Sequence, residues 1–151
     1  MNATLAITLK NRSILENFLN SFSIDQLNKT PKGFKNNIFC NIAHVVASQQ
    51  LLVYKLSNLP MQLPEDWINE FKKETKPERI YTIDDVNCLK NILLTTIFQT
   101  ENDLIAGKFQ SYNPYQTSNG FLLNYVEDGI IFNNFYEVMH LGIILQIKKF
   151  V

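Results

Sequence analysis

Apolar residues return along this chain at helical spacing, in four long stretches. From about Ala3 to Phe22 the repeat is carried by Leu5, Leu9, Ile14, Phe18 and Phe22. From about Asn36 to Asn58 there are two stripes: Ile38, Ile42, Val45, Gln49, Leu52 and Leu56 on one side, and Cys40, Ala43, Ala47, Leu51 and Tyr54 on the other. A helix that is apolar on two sides is buried on two sides. From about Ile83 to Ala106, one face is formed by Val86, Leu89, Leu93, Ile97, Thr100 and Leu104. Thr82 and Asp85 in front of it have the spacing of a capping box, and Gly107 behind it suits a C-cap. The fourth stretch runs from about Phe121 to Phe150, with Lys148 and Lys149 in the last turn, where cations suit the helix dipole. A shorter helix is expected over Glu65 to Lys73. Pro31, Gly33, Pro60, Pro64, Pro77, Gly107 and Pro114 fall between these stretches. No stretch of period two competes with them. The pattern predicts an all-α protein: one domain over residues 1–151, a four-helix bundle with a short extra helix between helices two and three.

Composition narrows the function without naming it. Hydrophobic residues make up 46% and charged residues 19%, and 14 basic residues balance 14 acidic ones. There is no basic run of the kind that tracks a phosphate backbone, so no nucleic-acid partner is expected. No apolar run reaches the length of a membrane span, so no membrane partner is expected either. The N-terminus lacks a basic start followed by an apolar core, and the two cysteines, Cys40 and Cys88, are isolated. Both features point to a cytoplasmic protein with reduced thiols. The richness in Asn, Ile and Lys suits an AT-rich bacterial genome.

The candidate chemistry lies in the last stretch. His140 stands in an otherwise apolar helix, and Asn133 and Tyr136 fall within about 40° of it around the helix axis, with Glu137 at about 60°. Buried polar groups need partners, so this island is informative. The only other histidine, His44, lies on helix two with Ser48 one turn on. If helices two and four face each other, the two imidazoles can converge as metal ligands. A catalytic zinc takes three protein ligands and an open position, so a third ligand is needed, from Tyr136, Glu137 or Cys40. Glu137 and His140 also form a Glu-x-x-His pair, but a di-iron site needs a second pair and two further carboxylates, which the chain does not offer. The other reading of the same residues is a core histidine with a hydrogen-bond partner. There is no Gly-rich phosphate loop and no nucleophile elbow.

Three segments together resemble the DinB-like (YfiT-like) family. They are "SIDQLNKTPKGFKNNIFCNIAHVVASQQLLVYKLSNLP", with a histidine in an N-x-x-H setting, "LPEDWINEFKKETKP", and "FYEVMHLGIILQIKK", against a family pattern H-E-x-x-H-x-G-x-I. The resemblance implies a four-helix bundle, often dimeric, holding nickel or zinc on three histidines. Some members are metal-dependent hydrolases or thiol transferases that work with bacillithiol or mycothiol. By position, His44 and His140 take two ligand places, and Glu137, Gly142 and Ile144 match the surrounding pattern. Tyr136 stands where the family has its first motif histidine. A neutral phenol is a poor zinc ligand unless the metal drives off its proton. Two readings follow. One is a degenerate metal site of His44, His140 and Tyr136 with a thiol or other small-molecule substrate. The other is a non-catalytic bundle that has lost the metal and works as a small-ligand-binding protein or through a homodimer surface.

Overall fold

The computed structural model describes residues 2–151. Helix α1 spans Ala3–Ser21 and starts at Asn2, whose side-chain oxygen accepts from the Leu5 amide at 2.9 Å. A five-residue helix, α2 (Ile24–Asn28), follows, closed by a reciprocal Ser23–Gln26 capping box. The apolar period did not reveal it, because five residues are too few to repeat. Helix α3 (Ile38–Gln49) is capped by Asn37 and runs directly into a π-helical stretch, Gln50–Lys55. Helix α4 (Glu65–Phe71) is the expected short helix, ending two residues earlier. Helix α5 (Ile83–Ile105) opens on the Thr82–Asp85 capping box and stops before Gly107, whose φ of 64° is the left-handed conformation glycine tolerates. Strands β1 (Tyr115–Gln116) and β2 (Leu122–Leu123) form a two-residue antiparallel pair. Helix α6 (Val126–Ile147) ends in a 3₁₀ turn, Lys148–Phe150.

The last helix therefore starts at Val126 and not at Phe121. The Asp128 carboxylate accepts from the amides of Asn124 and Tyr125 at 2.9 and 3.2 Å, which fixes the start there. The apolar residues before it, Leu122 and Leu123, belong to the β-pair.

Four helices build the all-α bundle. Helix α1 packs along α5 and α6, and α3 packs along α6 and α5. Every residue of α3 is buried, as its two stripes require. Helix α6 is only partly buried. Val126, Asn133, Glu137, Ile144 and Ile147 face inward, but Ile131, Phe135, Val138 and Leu145 are exposed. By length and composition Val126–Phe150 passes for a membrane span. In this fold it is a bundle helix, tied to α1 by a buried ion pair. Arg12 Nε and Nη2 both lie 2.8 Å from Glu137 Oε1, and both side chains are fully buried. Asn133 Nδ2 donates to the same oxygen at 2.7 Å, and Arg12 also reaches the carbonyls of Leu93 and Val45. All of these bonds to the carboxylate fall on Oε1, and Glu137 Oε2 is buried without a partner among the described residues; removing either charge would leave the other buried and unpaired.

Candidate functional site

Helices α3 and α6 bring His44, Tyr136 and His140 together. The two imidazole centroids are 4.7 Å apart, and the Tyr136 ring lies 4.8 Å from His140 and 5.6 Å from His44. The convergence follows from the packing of α3 on α6, with His44 in the middle of one helix and His140 beyond the middle of the other.

Each histidine is oriented by a second group. His44 Nδ1 is 2.6 Å from the carbonyl of Phe71, the last residue of α4. Carbonyls at a helix end lack intrahelical partners, so this one is free to accept. A carbonyl only accepts, so Nδ1 carries the hydrogen and Nε2 presents its lone pair. His140 Nδ1 is 2.9 Å from Asn41 Oδ1, while Asn41 Nδ2 donates to the Asn37 carbonyl at 2.8 Å. The amide is thereby held oxygen-outward, so His140 also carries its hydrogen on Nδ1 and presents Nε2. Asn41 was not singled out as a site residue. Its signal was the N-x-x-H spacing, which puts it one turn before His44.

Tyr136 sits at the lone pair of His44. Its hydroxyl donates to His44 Nε2 at 2.8 Å, and Ser48 Oγ lies 3.3 Å from the same nitrogen. His140 Nε2 has no hydrogen-bond partner among the described residues, and His140 is one of the residues lining a cavity of about 440 Å³. Burial pushes both imidazoles down. His140, pressed further by its neighbour His44, falls to about 3, and His44 also lies below the usual value. Burial pushes the Tyr136 phenol up. At neutral pH the cluster is therefore uncharged: two neutral imidazoles and a protonated phenol.

The other candidate ligands point elsewhere. Glu137 is committed to Arg12 and Asn133; burial raises its carboxyl and those two partners counter it. Cys40 is hydrogen-bonded to Tyr81, and burial lifts its thiol to about 11. Among the described residues no group of three or more His, Cys, Asp or Glu side chains is placed to hold a metal.

The histidines alone suit a divalent metal, since both present Nε2 with Nδ1 held by a carbonyl oxygen. The donor set as a whole does not fit one. The phenol keeps its proton and spends it on the lone pair that a metal would need at His44. No anionic side chain joins to make a third ligand.

The cavity beside this cluster is lined by the π-helical stretch, by α6 and by the residues around β1. Leu51 and Leu52, neighbours in the chain, both line it, together with Phe132 and Met139. Lys55 and Lys73 also line it and were not foreseen. Nothing in the local sequence marks them, because a lysine on a helix end is ordinarily a solvated charge.

Residues 8–144 match the DinB superfamily, which is nearly the whole chain. The protein belongs to that superfamily, as its last helix and its N-x-x-H segment indicate. No curated protein matches it.

Proposed function

We propose that this DinB-superfamily protein is a small-ligand-binding bundle of the cytoplasm in which the Tyr136 hydroxyl takes the place of a metal ion. The observation that carries the reading is the 2.8 Å hydrogen bond from Tyr136 to His44 Nε2. It supplies internally what a metal would supply in a three-histidine site, a partner for a buried imidazole lone pair. The adjoining cavity, at about 440 Å³, is in the size class of small-molecule sites, about 300–1,000 Å³. His140 Nε2 offers an acceptor on its wall. Both imidazoles are neutral, so the cluster meets a ligand as uncharged donors and acceptors. A metal-dependent hydrolase or thiol transferase would need a third basic ligand at position 136.

Metal binding tests this directly. Zinc and nickel titrated into the purified chain should give no stoichiometric uptake. Tyr136→His should restore a three-histidine set and bind tighter than wild type by at least about a hundredfold, since even partners behind the ligands are worth about 10–100-fold. Tight one-to-one uptake by wild type would overturn the reading in favour of a working metal centre.

The same reading includes a homodimer. On α6, Ile131, Phe135, Val138, Gly142 and Leu145 alternate at four- and three-residue spacing, the seam of a coiled coil. Ile131 and Val138 are 58% and 52% exposed in the single chain. An apolar stripe of this length is a contact surface more often than a solvated face. A second copy of the chain, offering the same stripe, is the partner that matches it.

A further inference from the structure

The cavity beside His140 is not electrically neutral, although the chain is. The chain carries 14 basic and 14 acidic residues, yet the cavity lining includes Lys55 and Lys73 and no carboxylate. Lys73 Nζ donates to Ser118 Oγ at 3.2 Å, a neutral acceptor on the segment between β1 and β2. Neither lysine has an ion-pair partner among the described residues; the exposed pairs involve Arg79 and Lys108 instead. Leu51, Leu52, Phe132 and Met139 give the same space an apolar part, beside neutral polar residues that include Ser48, Thr117 and Asn119.

Two chemistries are thus placed in one cavity: a group of apolar side chains, and at its exposed edge an ammonium group held by a hydroxyl and paired with no carboxylate. We propose that the pocket binds a small carboxylate with an apolar body, such as a medium-chain fatty acid. The carboxylate accepts from Lys73 Nζ and Ser118 Oγ, and the chain lies against Leu51, Leu52, Phe132 and Met139. Lys55 adds attraction at longer range. A cationic ligand is disfavoured by both lysines, and a neutral alcohol of the same length fills the apolar wall without satisfying Lys73. The inference rests on the ligand-binding reading and deepens it by naming the ligand class.

Calorimetry with decanoate, decanol and decyltrimethylammonium tests it on the full chain. Decanoate should bind saturably at one per chain, decanol about ten- to a hundredfold more weakly, as a charge-assisted hydrogen bond is worth, and the cation not measurably. Lys73→Gln should remove most of the preference for decanoate over decanol, leaving only the weak pull of Lys55, and leave decanol unchanged. Met139→Trp, which fills the cavity from the exposed side of α6, should weaken both. Equal affinity for decanoate and decanol would overturn the proposal. So would a preference that Lys73→Gln leaves undiminished, or decanoate binding that Met139→Trp leaves untouched, since that would place the acid on the exposed face of α6. These failures are distinct from that of the metal-free reading, which is decided by zinc and nickel uptake.

Discussion

His140 carries the cost of its position in its own titration. Burial and the neighbouring His44 hold it neutral down to about 3, against about 6.5 in an unfolded chain. The unfolded state therefore binds the proton first. As a group whose folded value is depressed, His140 leaves stability intact above the unfolded value, and stability is lost as pH falls from about 6.5 toward 3. Between pH 7 and pH 5 it should remove about 2 kcal/mol, with His44, shifted the same way, adding to the loss. Urea midpoints at pH 7, 6 and 5 check this, and His140→Gln should flatten the slope; a wild-type midpoint flat across that range would contradict the burial of a neutral imidazole. At this scale the sequence named His44, His140 and Tyr136 as a group, and the fold brings them together. It did not show that Glu137 turns to Arg12, because a partner 125 residues away leaves no local mark. Nor did it distinguish Tyr136 as a ligand from Tyr136 as a donor, which depends on which lone pair its hydroxyl meets.

Among the elements, the π-helical stretch after α3 sets the cavity. Its position directly after Ser48 and Gln49 places Leu51, Leu52 and Lys55 on the wall, and π-helical turns are frequent at functional sites. Helix α6 lies close against it because residue 129 is glycine. A Cβ there would stand 2.7 Å from the Tyr112 hydroxyl and 2.9 Å from the Leu52 carbonyl, which that hydroxyl bonds at 3.0 Å. Gly129→Ala should therefore push α6 from the cavity wall and cost about 1–3 kcal/mol. Gly142, with no atom within 4 Å of the same construction, offers the contrast: Gly142→Ala should be neutral or stabilising by about 0.5–1 kcal/mol in the isolated chain. Chemical unfolding of the two variants side by side decides it, and equal effects would remove the argument from close approach. The helices, the Thr82–Asp85 box and the stop at Gly107 were legible in advance, being set by residues within a few positions of one another. The π-helical turn, the α2 helix and the start of α6 at Val126 were not. The starts of α2 and α6 rest on a pair of hydrogen bonds each and not on a repeating period.

For the molecule as a whole, the exposed seam of α6 and the inward polar groups of the same helix divide its surface into two roles. Asn133 and Glu137 hold it to the bundle, while Ile131, Phe135, Val138 and Leu145 stay open. If a second copy covers them, sedimentation at micromolar concentration should give twice the 17.5 kDa chain mass. Val138→Glu, which puts a charge at the centre of the seam, should give the monomer with unchanged helix content by circular dichroism. A wild-type monomer at those concentrations would sink the dimer. Met139 and Phe132 of the same helix line the cavity, so ligand occupancy and pairing are open to comparison in the same experiment.

The sequence by itself determined the class of fold. Period, caps and breakers are local quantities, and four helices of this length with apolar faces pack those faces together as a bundle. It also determined which residue types were available to the site, including the tyrosine at the place of a histidine. Only the tertiary structure decided what those residues do. Which oxygen faces Nδ1, which lone pair Tyr136 meets, whether a carboxylate joins the histidines or turns to an arginine, and whether two lysines share a cavity are all distances between helices. Hydrogen bonding and charge act over a few ångströms in space, and the chain brings those ångströms together from positions as far apart as Arg12 and Glu137.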